Sequence, residues 1–130
     1  MQHVADMVKA AEAEIETLSV EQASELHGDD SVQFVDLRDV RELYREGKVS
    51  GAYHAPRGML EFWVDPQSPY HKPLFAEQKK FVFYCQSGWR SALATHTAQQ
   101  MGMTDVCHIE GGYRAWKEAG APTEPVQHKG

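Results

Sequence analysis

Short apolar runs alternate with amphipathic stretches along this chain. Over residues 2–16, Val4, Met7, Val8, Ala11 and Ile15 share one helical face, with Asp6, Lys9, Glu12 and Glu16 largely off it. This predicts a helix covering the edge of a core. Thr17-Leu18 reads as a short first strand. Ser19 followed three residues later by Gln22 has capping-box spacing and opens a helix to about His27. After a turn at Gly28-Asp29-Asp30, Val32–Asp36 is a second strand. Leu37 to Arg45 reads as a loop leading into a short helix that Gly47 ends, and Ala52–Ala55 as a third strand. Residues 57–79 carry Pro66, Pro69 and Pro73, which exclude one long helix. The aromatics among them, Phe62, Trp63, Tyr70 and Phe75, exclude a disordered linker. A short helix near Met59–Trp63 and a helical turn near Phe75–Gln78 are expected there.

Phe81–Tyr84 is rich in aromatic and β-branched residues and short enough for a buried strand. A helical pattern follows through Ala92, Leu93, Ala94, Ala98 and Met101, ended by Gly102. Val106–Ile109 is the last strand, and Gly111-Gly112 turns into a final helix, Tyr113 to Ala119. The polar tail from Thr123 is expected to be loose. Strands alternating with helices predict an α/β fold: a parallel sheet with helices on both faces and right-handed crossovers.

With 130 residues the chain is one domain with a sizeable core. A net charge of −6 argues against a general nucleic-acid or anionic-membrane binder. No apolar run approaches transmembrane length, and the first residues lack a signal-peptide pattern. Two cysteines without a framework fit a reducing compartment, with cytoplasm the default. His54, His71, His96 and His108 are scattered without metal-ligand spacing, and nothing calls for a cofactor.

The chemistry concentrates at Cys85-Gln86-Ser87-Gly88-Trp89-Arg90. Cys85 is expected at the carboxyl end of a strand with a helix amino end facing it, where open α/β sheets place ligands. Converging loop N–H groups, the helix dipole and Arg90 predict a depressed thiol pKa and a cradle for an anion or a charged sulfur. Cys107, mid-strand, is expected to be an inert buried thiol.

Four pieces in this order resemble the rhodanese-like family of sulfurtransferases. They are Val35-Asp36-Leu37-Arg38, Glu46-Gly47-Lys48-Val49-Ser50-Gly51-Ala52, the Cys85–Arg90 loop, and Glu110-Gly111-Gly112-Tyr113-Arg114-Ala115-Trp116. The resemblance runs from about Leu18 to Pro122. It implies a three-layer sandwich whose five-stranded parallel sheet has the order 1-5-4-2-3, the cysteine following the fourth strand. The chain then divides into an N-terminal helix over 1–17, the domain over 18–122 and the tail over 123–130.

The resemblance further implies that Cys85 takes sulfane sulfur from a small donor such as thiosulfate. The persulfide then yields it to cyanide, a thiol or an acceptor protein. It implies that Asp36 braces the active loop through backbone N–H groups, and that Arg38 and Arg41 bind the donor. From the residues themselves, Ser87 reads as turning its hydroxyl to the sulfur or as loop solvation, Gly88 as permitting close backbone approach, Trp89 as walling the pocket mouth or packing on the adjacent helix, and Arg90 as stabilising the thiolate, binding the donor anion or pairing with an acid such as Glu110. Arg57 is a lesser candidate for the pocket. Phe62 and Trp63 read as core packing or as a lid. Gln86 stands where many members carry arginine, one positive charge fewer beside the sulfur. Two further readings stand beside sulfur transfer. One is a persulfide carrier or docking module with little thiosulfate activity. The other is a small phosphatase or arsenate reductase. Phosphatases resembling this fold have five residues between cysteine and arginine, whereas Cys85 and Arg90 are separated by four.

Overall fold

The computed structural model describes residues 1–128. Its helices are α1 (Val4–Glu12), α2 (Val20–Leu26), α3 (Val40–Glu46), α4 (Leu60–Val64), α5 (Trp89–Gln100) and α6 (Gly112–Glu118). Its strands are β1 (Glu16–Leu18), β2 (Val32–Asp36), β3 (Lys48–Val49), β4 (Tyr53–His54), β5 (Lys80–Tyr84), β6 (Val106–Ile109) and β7 (Thr123–Glu124). Short 3₁₀ turns at Arg57–Met59 and Pro73–Ala76 flank α4 and the proline-rich stretch.

The main sheet runs β1-β6-β5-β2-β4, parallel throughout. Counted within that sheet alone, the order is the 1-5-4-2-3 that the resemblance implies. Side-chain alternation divides the core into two layers. Along β5, Phe81 and Phe83 join Val35, Leu60, Val64, Ala94 and Ala98 on the α4/α5 side. Val82 and Tyr84 join Phe34, Ala23, Tyr113 and Trp116 on the α2/α6 side. β5 is central, buried on both faces, and its carboxyl end is where Cys85 begins.

Local chemistry sets the boundaries. Ser19 and Gln22 form a reciprocal capping box at α2, and Asp39 and Glu42 form a second at α3. α1 is shorter than its apolar spacing predicts, because Glu16 leaves the helix to pair with Cys107 across β6. The tail also differs from expectation. Thr123 and Glu124 form β7, antiparallel to β3, and the Glu124 carboxylate accepts from Gly51 N at 3.0 Å and Ser50 Oγ at 3.2 Å. Trp116 Nε1 donates to Pro122 O at 2.8 Å just before it, so the buried indole ties the chain at Pro122 to the domain.

Candidate active site

Three backbone turns meet at the carboxyl edge of the sheet. β5 ends at Tyr84, the chain loops through Cys85–Gly88, and Gly88 caps α5 with φ +113°, a left-handed conformation that suits glycine. This turn folds the loop over its own cysteine. Gly88 N–H donates to Cys85 Sγ at 3.1 Å and Ser91 N–H at 3.3 Å, while the thiol donates to Ser91 Oγ at 3.5 Å. Backbone donors on the sulfur and the amino end of a three-turn helix both favour negative charge there. Cys85 is only 1% exposed, so bulk water does little to compete.

The outer side of the loop rests on α6. Tyr113 N donates to Cys85 O at 2.8 Å and Arg114 N to Gln86 O at 3.1 Å. Gly112 allows this approach. Its φ is +61°, and a Cβ there would lie 2.5 Å from Cys85 O and 2.8 Å from Gln86 O. The glycine pair in the last motif is thus a contact surface for the cysteine loop as well as a helix start.

Arg38 is placed differently from the donor-binding role the resemblance implies. It is 0% exposed, and its guanidinium is paired with Asp36 at 2.7 Å. It also donates to Gly47 O at 2.7 Å and Gln86 Oε1 at 3.2 Å, and lies 4.2 Å from the Tyr113 ring centroid. Burial works against its charge, but the Asp36 carboxylate more than offsets this and the pKa is raised. Arg38 is therefore an internal strut joining β2, the end of α3, the cysteine loop and α6. Asp36 braces the loop through this strut rather than through loop N–H groups, because its carboxylate accepts from Arg38 N and the Arg38 guanidinium. Gln86 fits the same arrangement. An arginine there would set a second guanidinium against Arg38, whereas the Gln86 amide oxygen accepts from it.

The other candidate arginines, Arg90, Arg41 and Arg57, also have partners. Arg90 makes a two-pronged pair with Glu42 of α3, at 2.8 and 3.0 Å. The hydrogen bond from Arg90 holds the Glu42 carboxyl below its usual range, and the same bond raises the Arg90 pKa. Cys85 lies within electrostatic reach of that guanidinium. Arg41, with a side chain 78% exposed, pairs with its neighbour Asp39 and has no contact to the loop. Arg57 pairs with Glu61 at 2.8 Å.

Ser87 and Trp89 are on the exposed rim of the loop, Trp89 at 52%. Trp63 packs edge-on against Tyr53, while exposed Phe62 meets Tyr70; neither is among the contacts of Cys85. Cys107 is buried on the opposite face of β6 in the α2/α6 layer, and burial pushes its thiol up to about 12. Three residues at the site escaped the sequence reading: Ser91, His108 and Thr17. Ser91 Oγ lies 2.9 Å from His108 Nδ1, and His108 Nε2 lies 3.2 Å from Thr17 Oγ1. The available signal was a histidine inside an otherwise apolar, fully buried strand. Among the described residues no cluster of three or more His, Cys, Asp or Glu is placed to share a metal ion, and no helix is long and apolar enough to cross a membrane.

Comparison with known proteins finds relatives of the same fold. A protein of unknown function from Rhodopseudomonas palustris CGA009, described as a possible tyrosine phosphatase, is 54% identical, with a TM-score of 0.93 over 95% of this chain and 96% of that one. The polysulfide-sulfur transferase homodimer of Wolinella succinogenes is 31% identical, with a TM-score of 0.71 over 95% of this chain and 88% of that one. The thiosulfate sulfurtransferase GlpE of Shewanella oneidensis is 32% identical over 104 residues, 80% of this chain and 94% of that protein. An uncharacterized Synechocystis protein is 36% identical over 107 residues, 82% of this chain, which spans only 55% of that relative's length. Residues 19–119 match the rhodanese-like domain, and the chain belongs to the rhodanese-like family.

Proposed function

We propose that this chain is a sulfurtransferase that carries a sulfane sulfur on Cys85. The thiolate attacks the outer sulfur of a donor such as thiosulfate. A sulfur–sulfur bond forms to Cys85, and the bond to the sulfonate group breaks, with sulfite leaving with the electron pair. A second nucleophile, a thiol, cyanide or the thiol of an acceptor protein, then takes the outer sulfur and Cys85 leaves as thiolate. Each step is thiolate-type attack on sulfur.

The observation that carries this reading is the set of contacts on Cys85 Sγ: two backbone N–H groups and one hydroxyl drawn close around a single atom. Such a cradle suits the charge of a thiolate or persulfide. The names of GlpE and of the Wolinella transferase support sulfur transfer on the same fold. With Arg38 buried in its pair to Asp36, Arg90 is the guanidinium left to meet a donor anion. Two of its five N–H groups are on Glu42, and its side chain is 41% exposed. A rim short of free positive charge also suits a neutral donor, or a partner protein's persulfide, which is the carrier version of the same chemistry.

The phosphatase description of the Rhodopseudomonas neighbour motivates a direct comparison. Phosphoryl transfer needs the loop arginine on the phosphate oxygens. Here the loop is one residue shorter than the phosphatase pattern, which narrows the cradle for a phosphoryl group. The deciding experiment assays one preparation for thiocyanate formed from thiosulfate and cyanide, and for phosphate released from an aryl phosphate. Thiocyanate formation with ping-pong kinetics, lost in Cys85→Ser, is expected. Cys85-dependent phosphate release without thiocyanate would overturn the proposal. Persulfide formation with a thiosulfate KM far above millimolar concentrations would mark the carrier.

A further inference from the structure

A line of polar side chains lies behind the cysteine loop, and beyond the Ser91 hydroxyl on the sulfur it has no part in the chemistry above. Ser91, in the first turn of α5, is 0% exposed. Its hydroxyl oxygen is 3.5 Å from Cys85 Sγ and 2.9 Å from His108 Nδ1. His108, on β6, is 1% exposed and faces the α5 side of the sheet, with Thr17 and Phe83 as its cross-strand neighbours. Its Nε2 is 3.2 Å from Thr17 Oγ1, and Thr17 lies on the edge strand β1, where it is exposed. The line therefore runs from a buried sulfur to solvent.

Burying an imidazole among Phe83 and Val106 is costly unless both nitrogens are bonded, and here both are. Burial alone pushes His108 down to about 4, so the ring is neutral near pH 7. A neutral imidazole accepts at one nitrogen and donates from the other, which gives the line a direction. The other two contacts on the sulfur are N–H donors, which cannot take a proton. Among the described residues, Ser91 Oγ is the acceptor the thiol reaches.

We propose that Ser91, His108 and Thr17 form a proton relay that carries the Cys85 thiol proton to solvent and returns it. The proposal rests on Cys85 acting as the sulfur-transfer nucleophile. In the thiol state the sulfur donates to Ser91 Oγ, the Ser91 hydroxyl donates to His108 Nδ1, and His108 Nε2–H donates to Thr17 Oγ1. On ionisation every proton moves one place outward. The thiol proton passes to Ser91, the former Ser91 proton to Nδ1, the Nε2 proton to Thr17, and the Thr17 proton to water or buffer base. Cys85 ends as a thiolate accepting from Ser91, and His108 ends protonated at Nδ1 only. One proton reaches solvent, and among the side chains only Cys85 changes charge. When an acceptor removes the sulfur, the relay is already set for the next donor, or runs in reverse to restore the thiol.

A purely structural role makes a different prediction. Ser91 Oγ also lies 3.2 Å from Gly88 O. If its proton stays on that carbonyl, His108 keeps its proton on Nδ1 whatever the state of Cys85. The two cases separate in a nitrogen-15 NMR titration of the full chain between pH 5 and 10, with the His108 signals assigned by their loss in His108→Gln. His108 itself titrates below this range, and Cys107, at about 12, above it. The relay predicts that the protonated nitrogen changes from Nε2 to Nδ1 as Cys85 ionises, and that Cys85→Ala abolishes the change. It also predicts that Ser91→Ala uncouples the tautomer from pH and slows alkylation of Cys85 at pH 7 at least threefold. A tautomer that stays fixed while wild-type Cys85 ionises overturns the relay, even if persulfide forms. A tautomer switch without persulfide from any donor supports the relay and rejects sulfur transfer instead.

Discussion

Replacing Arg38 by methionine tests whether this arginine is a strut or a donor-binding group. The substitution keeps a long apolar stem in contact with Tyr84 and Tyr113 but removes every donor of the guanidinium. The Asp36 carboxylate, itself fully buried, loses its charged partner, and Gly47 O and Gln86 Oε1 each lose a hydrogen bond. Leaving one member of a buried ion pair alone costs about 3–5 kcal/mol. A domain in the middle or upper part of the usual range of about 5–15 kcal/mol survives that loss, and the variant is then folded and measurable. Urea unfolding at pH 7 should show the midpoint falling without a change in slope. The double variant Asp36→Asn with Arg38→Met should recover much of the loss, because no unpaired charge remains. Arg41→Met, which removes only an exposed pair to Asp39, should leave the midpoint unchanged. If Arg38→Met keeps wild-type stability while raising the KM for thiosulfate, the strut assignment is wrong and Arg38 binds the donor after all.

Gly112→Ala should be among the most damaging small substitutions. It places a methyl group 2.5 Å from Cys85 O at φ +61°, so the loop and the start of α6 must separate; loss of persulfide formation and a cost of about 1–3 kcal/mol are expected. Retained activity would mean the loop does not need α6. His108 sets an acid limit on stability. Its pKa falls from 6.5 unfolded to about 4 folded, so the unfolded chain binds the extra proton first. The contribution is unaffected above pH 6.5 and falls away as pH drops towards 4, by about 3 kcal/mol at most. Urea midpoints at pH 7 and 4.5 should therefore converge between wild type and His108→Gln on acidification; parallel loss in both would assign the acid sensitivity to the carboxylates.

What was legible followed from local pattern. β2 and β6 appear with their expected bounds because each is a short apolar run between turn residues. The box at Ser19/Gln22 and the glycine after α3 mark helix ends through interactions between near neighbours. The cysteine loop and the four-piece motif placed Cys85 correctly at the carboxyl end of the central strand. What was not legible depends on segments far apart in sequence. Arg38 lies at the expected end of the sheet, yet its side chain turns inward under Tyr113, a direction set by contacts from residues 36, 47, 86 and 113 together. The pairing of Glu42 with Arg90 joins positions 48 residues apart and has no local signature. β3 and β7 pair residues 48–49 with 123–124, far apart in sequence, so the stretch from Thr123 read as loose. His108 stood in plain view, but with every residue of β6 buried, no polar face exists to suggest what its side chain meets.

Intact mass measurement before and after incubation with thiosulfate and desalting tests the central claim most directly. The account predicts a gain of about 32 Da, one sulfur atom held as a covalent persulfide, in the wild type and none in Cys85→Ser. Repeating the incubation with 3-mercaptopyruvate or glutathione persulfide separates a different donor from no transfer at all. A wild-type mass unchanged by all three donors, or a gain that persists in Cys85→Ser, would contradict it.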